Sequence, residues 1–409
     1  MKQGVGVYIG NEEVIAVSVS LSKGAPKLER FAIESFRSIQ EETPKEPKDA
    51  RSQKASAKAD RPVEAKAVER ALEKIGARRA RVTAAFNPFH LVTRYFEMPA
   101  IPRGEWKAGA GFEARRYIPF KLAESVADVH VAEQSAAEGK KMLLVTAAAV
   151  KTGTLKRYAS FLKIGSARLG EFEPVFSSFA RALFAVGELE KEKTYAYVFI
   201  DAHQSVNISV GRSQVTYLSR DFLLTEDRRA NETRFYEEMK ASFSFAAEKT
   251  GDDQIEKTFF AGGGELDFWI DFSTDVFGKQ TRFEHALFPT RQNVSSNVLS
   301  ALIVPIGLAL RGLSRPSPLG TFSLTAPVEP GERTPAGMKK TLTVEILAIA
   351  VFFFLLRFLV LTPFADHLER GFKSQAAPSV VADPDLEPRG VEDLRKLRDQ
   401  IRGEADQFI

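Results

Sequence analysis

Few residues of this chain could do chemistry by themselves, and their types narrow what that chemistry could be. There is no cysteine, so disulfides, thiol nucleophiles and cysteine metal sites are excluded. The five histidines, His90, His130, His203, His285 and His367, are scattered singly. None stands at ligand spacing from another, which argues against a metal site. The one local pattern with a chemical reading is the glycine run Gly262, Gly263 and Gly264 after an apolar stretch. Glycines there could open space for a bound nucleotide or form a tight strand-to-helix turn with close packing. The pattern alone does not choose between them.

The chain has 409 residues with 57 basic and 53 acidic side chains, a formal charge of +4. So small an excess gives no mandate for nucleic acid. About 340 residues precede a long apolar run, enough for two sizeable cores or one bilobed domain.

The elements that must position any site fall into two series. Residues 4–37 read as three short strands separated by polar and Gly–Pro turns. Residues 39–62 are rich in Lys, Glu, Ala and Pro with almost no large apolar residue, and read as a disordered loop. A helix over 63–75 stops at Gly76, and strands follow at ARVTAAF and LVTRYFEMP. Next come a helix over 106–117, strands near 125–133 and at MLLVTAAAV, a helix over 152–164, and a strand running into a helix at ARLGEFEPVFSSFARALFAV. A second series opens at Tyr195 with the meander YAYVFIDA, SVNISVG and QVTYLSRDF. It continues with a long helix over 226–249, the strand, glycine turn and helix of KTFFAGGGELDFWIDF, and a helix at NVSSNVLSALIVPIGLALRGL. Both halves open on a meander and continue with alternating helices and strands. The duplication suggests two related α/β lobes with a cleft between them.

Residues 314–334 are rich in Pro, Ser and Gly and read as a tether, with the linker running to 340. Residues 341–362, TLTVEILAIAVFFFLLRFLVLT, are apolar except for Glu345 and Arg357. As a helix rising ~1.5 Å per residue, such a run spans a bilayer core of about 30 Å. Its apolar residues lie all round, as lipid requires. Arg311, Arg315, Arg333, Lys339 and Lys340 precede it, against only Arg370 and Lys373 close behind. Basic residues mark the cytoplasmic side, and the start of the chain has no signal-peptide pattern. The expectation is a single-pass bacterial inner-membrane protein, its N-terminal part cytoplasmic and residues 363–409 periplasmic. In that tail a proline-punctuated spacer leads to Leu394, Leu397, Ile401 and Phe408 on one helical face. This short amphipathic helix could pair with a partner or drive oligomerisation, or simply be a frayed end.

Seven phrases in order, RYFEMP, FEARRYIPF, MLLVTAAAV, FEPVFSSFARAL, YVFIDAHQS, FFAGGG and IGLALRG, resemble the PilM-type actin-like pilus assembly proteins. More distantly they resemble the cell-division protein FtsA. The resemblance covers nearly all of residues 1–313. It implies an actin-like α/β fold of duplicated RNase H-like lobes with a small inserted subdomain at 91–167. The topology of actin-like part, single span and short tail resembles GspL of type II secretion.

In that family nucleotide lies between the lobes, on two glycine hairpins with their acids and a third glycine turn. The residues carried over are Gly10, Asn11, Asp201, Gly262, Gly263 and Gly264. At the first hairpin the acid is replaced by Tyr8, a phenol that organises hydrated Mg²⁺ poorly. At the second, Asp201 stays but the glycine is His203, whose side chain would crowd the phosphates. The resemblance therefore implies a degenerate cleft, with no cofactor or ATP/Mg held weakly, and no metal site of its own. The expected function is an inner-membrane platform scaffold of a type IV pilus or type II secretion machine. Its partners would be PilN/PilO-like bitopic proteins and the motor ATPase. The alternative is an actin-like ATPase whose nucleotide state switches partner binding. A filament tether like FtsA fits less well, because those anchors are amphipathic and this one spans.

Overall fold

The computed structural model describes residues 3–325, other than 23, 42–60, 136–140, 203, 252–253 and 291, and beyond them only 396 and 399. The apolar run at 341–362, the tail helix, residues 326–340 of the linker and His203 lie outside the described residues. So does most of the loop expected at 39–62. Among the described residues no helix is long and apolar enough to cross a membrane.

Strands β1 (Gln3–Ile9), β2 (Glu13–Ser22) and β3 (Ala25–Ser35) form an antiparallel meander. After α1 (Phe36–Glu41) and α2 (Val63–Lys74), β4 (Arg81–Phe86) returns parallel to β1. The chain then leaves the lobe through β5 (Leu91–Pro99), α3 (Trp106–Ala114), β6 (Ser125–Ser135) and β7 (Lys141–Lys151). It re-enters with α4 (Thr152–Ile164), β8 (Arg168–Phe172) and α5 (Val175–Ala185), completing a sheet of order β3-β2-β1-β4-β8. The second lobe repeats this plan with β9 (Tyr195–Asp201), β10 (Ser205–Arg212), β11 (Val215–Leu223), α6 (Arg228–Thr250), β12 (Lys257–Gly262), α7 (Leu266–Phe277) and β13 (Arg282–His285). Its order, β11-β10-β9-β12-β13, is the same meander followed by two parallel strands. The excursion forms its own antiparallel sheet, β5-β7-β6, with α3 laid against it.

The last helix, α8 (Ser296–Gly312), packs against β1 and α5 in the first lobe's core. Its close approach explains two small residues on β1. A Cβ on Gly4 would fall 2.1 Å from the Ala309 carbonyl oxygen, and one on Gly6 would fall 2.0 Å from that of Pro305. Val5, Val7, Tyr8 and Ile9 are buried, so β1 is a central strand covered on both faces.

Four expectations are corrected or refined. Residues 39–41, placed in the loop, belong to α1, because Ile39 is an apolar residue that reaches the core. β13 had no counterpart in the sequence reading: its four residues carry no alternating apolar pattern. α4 shares the first lobe's core and packs on α2, so residues 152–164 lie with that lobe rather than with the inserted sheet. The tether does not begin at 314. Leu319, Phe322 and Leu324 are buried in the core, Leu324 bridges to Phe172, and the Ser317 hydroxyl donates to the Ser177 carbonyl at 2.8 Å. Three large apolar side chains outweigh the Pro/Ser/Gly composition around them, and the domain extends to residue 325.

Candidate functional site

The two lobes meet where β1 and β9 end, and their turns face one another. Asp201, at the end of β9, is 2 % exposed. Its Oδ2 accepts the Asn11 backbone N–H at 3.0 Å and also the side-chain amide of Asn87. That amide donates to the Ser205 hydroxyl at 2.9 Å as well. Across the same gap Gln204 Nε2 donates to Glu12 Oε1 at 2.5 Å. Gly10 is small because Asp201 lies over it: a Cβ there would stand 2.5 Å from Asp201 Oδ1.

Tyr8 occupies the position of the missing acid as a core residue. It is 1 % exposed, its ring meets Phe199 edge-on at 5.1 Å, and its hydroxyl is directed to the Asp201 carboxylate. Burial, then the neighbouring Asp201 charge, holds the phenol well above its ordinary pKa. Burial likewise raises Asp201, against the bonds from Asn11 and Asn87 that favour its charged form. Glu13, on the first hairpin, is pushed up to about 7 by burial and by the charges of Asp201 and Glu12.

The third turn closes over the same point. Gly262 has φ +108°, and a Cβ on it would fall 2.0 Å from the Ile200 carbonyl oxygen. Gly263 donates to that carbonyl at 2.9 Å and lies against Ala202 and Glu13. Gly264 has φ +110°. Backbone packing against β9 thus accounts for Gly262 without a ligand, whereas a Cβ on Gly263 would meet nothing closer than 3.6 Å.

The structure therefore gathers Gly10, Asn11, Asp201, Gly262 and Gly263 at one place, with Gly264 following in the turn. It adds Glu12, Glu13, Asn87, Ser205 and Gln204, which sequence reasoning missed. Asn87 had a signal: it follows β4, whose carboxyl end lies beside that of β1 in a parallel pair, where α/β sheets build their sites. These groups do not fit a magnesium-bound triphosphate. The Asn11 N–H that should face a phosphate is bonded to the protein's own carboxylate, and the carboxyls of Glu12, Glu13 and Asp201 crowd the place where anions would lie.

A second concave region is open. A cavity of about 570 Å³ lies between β5 and β11, with Phe89, Arg94, Tyr95, Tyr217, Asp221 and Phe245 among its walls. Both strands are sheet edges, which present unpaired backbone groups. At one end the Thr146 hydroxyl clamps the Thr216 backbone, donating to its carbonyl at 3.2 Å and accepting its N–H at 3.1 Å. Tyr95 and Tyr217 meet edge-on at 5.3 Å. Burial pushes Asp221 up to about 7, against a bond from Asn207 at 2.9 Å.

Two lobes of one duplicated plan, with a small sheet inserted in the first, make the actin-like fold. Among solved structures, a chain of a PilM–PilN type IV pilus biogenesis complex superposes with a TM-score of 0.58 at 19% identity. The match covers 76% of this chain and 98% of that one. At the level of the fold, the resemblance to PilM-type proteins is borne out. A Bacteroides thetaiotaomicron protein with an actin-like ATPase fold and unknown function also matches, at TM-score 0.36 and 9% identity over 76% of this chain and 95% of that one. The cytoplasmic domain of EpsL, an inner-membrane component of the Vibrio cholerae type II secretion system, matches at 0.34 and 9% over the same shares. These two superpositions are too loose to carry an argument. No protein-family model matches the chain, and no curated protein matches it in sequence.

Proposed function

We propose that this chain is an inner-membrane platform scaffold of a type IV pilus or type II secretion machine. Its actin-like domain works by holding partners and not by turning over nucleotide. The observation that carries this reading is the Asp201 carboxylate on the Asn11 N–H, by which the cleft satisfies its own phosphate-facing donor. The apolar run at 341–362 anchors the chain by one span, with the basic flank and the domain on the cytoplasmic side.

The groove between β5 and β11 is where an extended segment of a bitopic partner docks. Edge strands offer backbone pairing, and the aromatic walls take alternate side chains. The solved relative of this fold was obtained as a PilM–PilN complex, which favours a PilN-like partner. Asp221 on the groove wall suits a basic residue in the incoming segment.

A photo-crosslinking residue at Tyr217, in the full chain in its own membrane, tests this. The expected adduct maps to an extended cytoplasmic segment of a single-span protein. An adduct only to soluble nucleotide-dependent proteins, or none, counts against the groove.

A further inference from the structure

The strongest unassigned surface lies on the inserted sheet, on α3 and its flanks. Phe112 is 68% exposed, the most open of the large apolar side chains among the described residues, and Tyr117 is 40% exposed although it stacks on Phe96 at 4.6 Å. Ala108, Phe112 and Arg115 stand at i, i+4 and i+7, on one exposed face. The Arg115 guanidinium lies 5.3 Å from the Phe112 ring centroid, and that of Arg103 lies 5.2 Å from Trp106.

Two of the acids nearby are engaged: Glu113 pairs with Arg116 at 2.7 Å, and Asp128 pairs with Lys107 at 2.8 Å. Glu105 at the start of the helix and Glu124 beyond its end are exposed. Arg103 and Arg115 sit on aromatic rings, and Lys121 is exposed beyond them. Exposed aromatics ringed by cations fit the headgroup region of an anionic bilayer.

The path of the chain gives this surface a reason to meet lipid. The Ser323 backbone N–H donates to Asp128 Oδ2 at 2.8 Å, and Lys107 of α3 holds the other oxygen of the same carboxylate. Ser323 thus lies one side chain away from α3. Residues 326–340 then lead to the apolar run. At ~3.3–3.6 Å per extended residue they reach no further than about 55 Å.

We infer that the α3 face, Phe112 with Arg103, Arg115 and Tyr117, lies on the anionic cytoplasmic surface of the membrane beside the exit of the chain. This rests on the reading of residues 341–362 as a span. The contact fixes which side of the domain faces the bilayer and leaves the groove between β5 and β11 reachable by a partner in the same membrane.

The chain has no cysteine, so one introduced at Ala108 can carry a nitroxide alone. The labelled full chain is reconstituted into vesicles of mixed phosphatidylglycerol and phosphatidylcholine, or of phosphatidylcholine only. Expected on the anionic vesicles is greater access to oxygen and shielding from a soluble nickel reagent. Both effects vanish on neutral vesicles, and in the variant carrying Arg103→Glu, Phe112→Ala and Arg115→Glu. A label open to nickel on anionic vesicles overturns the inference, and so does one shielded from both reagents, which signals protein contact. Alkaline extraction of the same samples judges the span separately. If the chain washes off, the anchor has failed, and the label on freshly added anionic vesicles still decides the α3 face.

Discussion

The cleft between the lobes and the groove beside the inserted sheet are both concave, and both hold a carboxyl pushed up to about 7. They differ in what fills them. In the cleft, hairpin meets hairpin: Asn11 and Asn87 bond Asp201, Gln204 bonds Glu12, Gly10 makes room for the Asp201 carboxylate, and Gly262 lets its backbone close on β9. In the groove two edge strands touch through Tyr95 and Tyr217 without pairing, and aromatic walls line a cavity of about 570 Å³. The contrast separates a place where the fold bonds to itself from one whose aromatic walls are left open.

Both regions belong to a domain that includes residues 314–325, and shortening the chain breaks it most severely. A fragment stopping at 313 loses Leu319, Phe322 and Leu324, each worth about 1.5–3 kcal/mol of burial. Against a total stability of ~5–15 kcal/mol, that fragment should fail to unfold cooperatively in urea while 1–325 does so. Equal midpoints for the two fragments would return residues 314–325 to the tether.

Gly262→Ala separates packing from ligand approach in the cleft. The new methyl meets the Ile200 carbonyl, and φ +108° disfavours any side chain. Strain and overpacking together predict a loss of about 3 kcal/mol in the 1–325 fragment without nucleotide. A neutral result would mean that the glycine is not held by β9.

The architecture was largely legible because strands alternate, helices stop at glycine, and the two halves repeat one plan. What escaped did so for local reasons. β13 is a four-residue edge strand, RFEH, whose place is set by pairing with β12 and not by its own pattern. Leu319, Phe322 and Leu324 were hidden among Pro, Ser and Gly, and only the pocket that receives them shows they are core. At the cleft, Gly10, Asn11, Asp201 and Gly262 could be named from the family pattern. Their mutual contact is tertiary, joining residues about 190 positions apart. Asn87 reads as an ordinary turn residue until β4 is laid beside β1.

A smaller effect contrasts the two carboxyls. Glu13 and Asp221 ordinarily titrate near 4.5 and 3.8, and both are raised to about 7 in the folded chain. Between those values the folded state binds more protons than the unfolded one, so stability falls as pH rises from about 4 to 7. At ~1.4 kcal/mol per pH unit, each shift corresponds to about 3–4 kcal/mol. Discounted for partial exposure, each group should contribute on the order of 2 kcal/mol, visible as a declining urea midpoint that Glu13→Gln or Asp221→Asn partly flattens. Occupying the groove should lower the Asp221 titration in carboxyl-resolved NMR and leave Glu13 unmoved. A shift of Glu13 instead would place the partner in the cleft.

The most direct test of the scaffold account is calorimetric titration of the 1–325 fragment with Mg·ATP, with phosphate release followed in parallel. With Asp201 on the Asn11 N–H and Tyr8 packed against Phe199, the account predicts no saturable heat at micromolar nucleotide and no release above the buffer rate. Micromolar binding with steady turnover by the unaltered fragment would contradict it and make the cleft an ATPase switch.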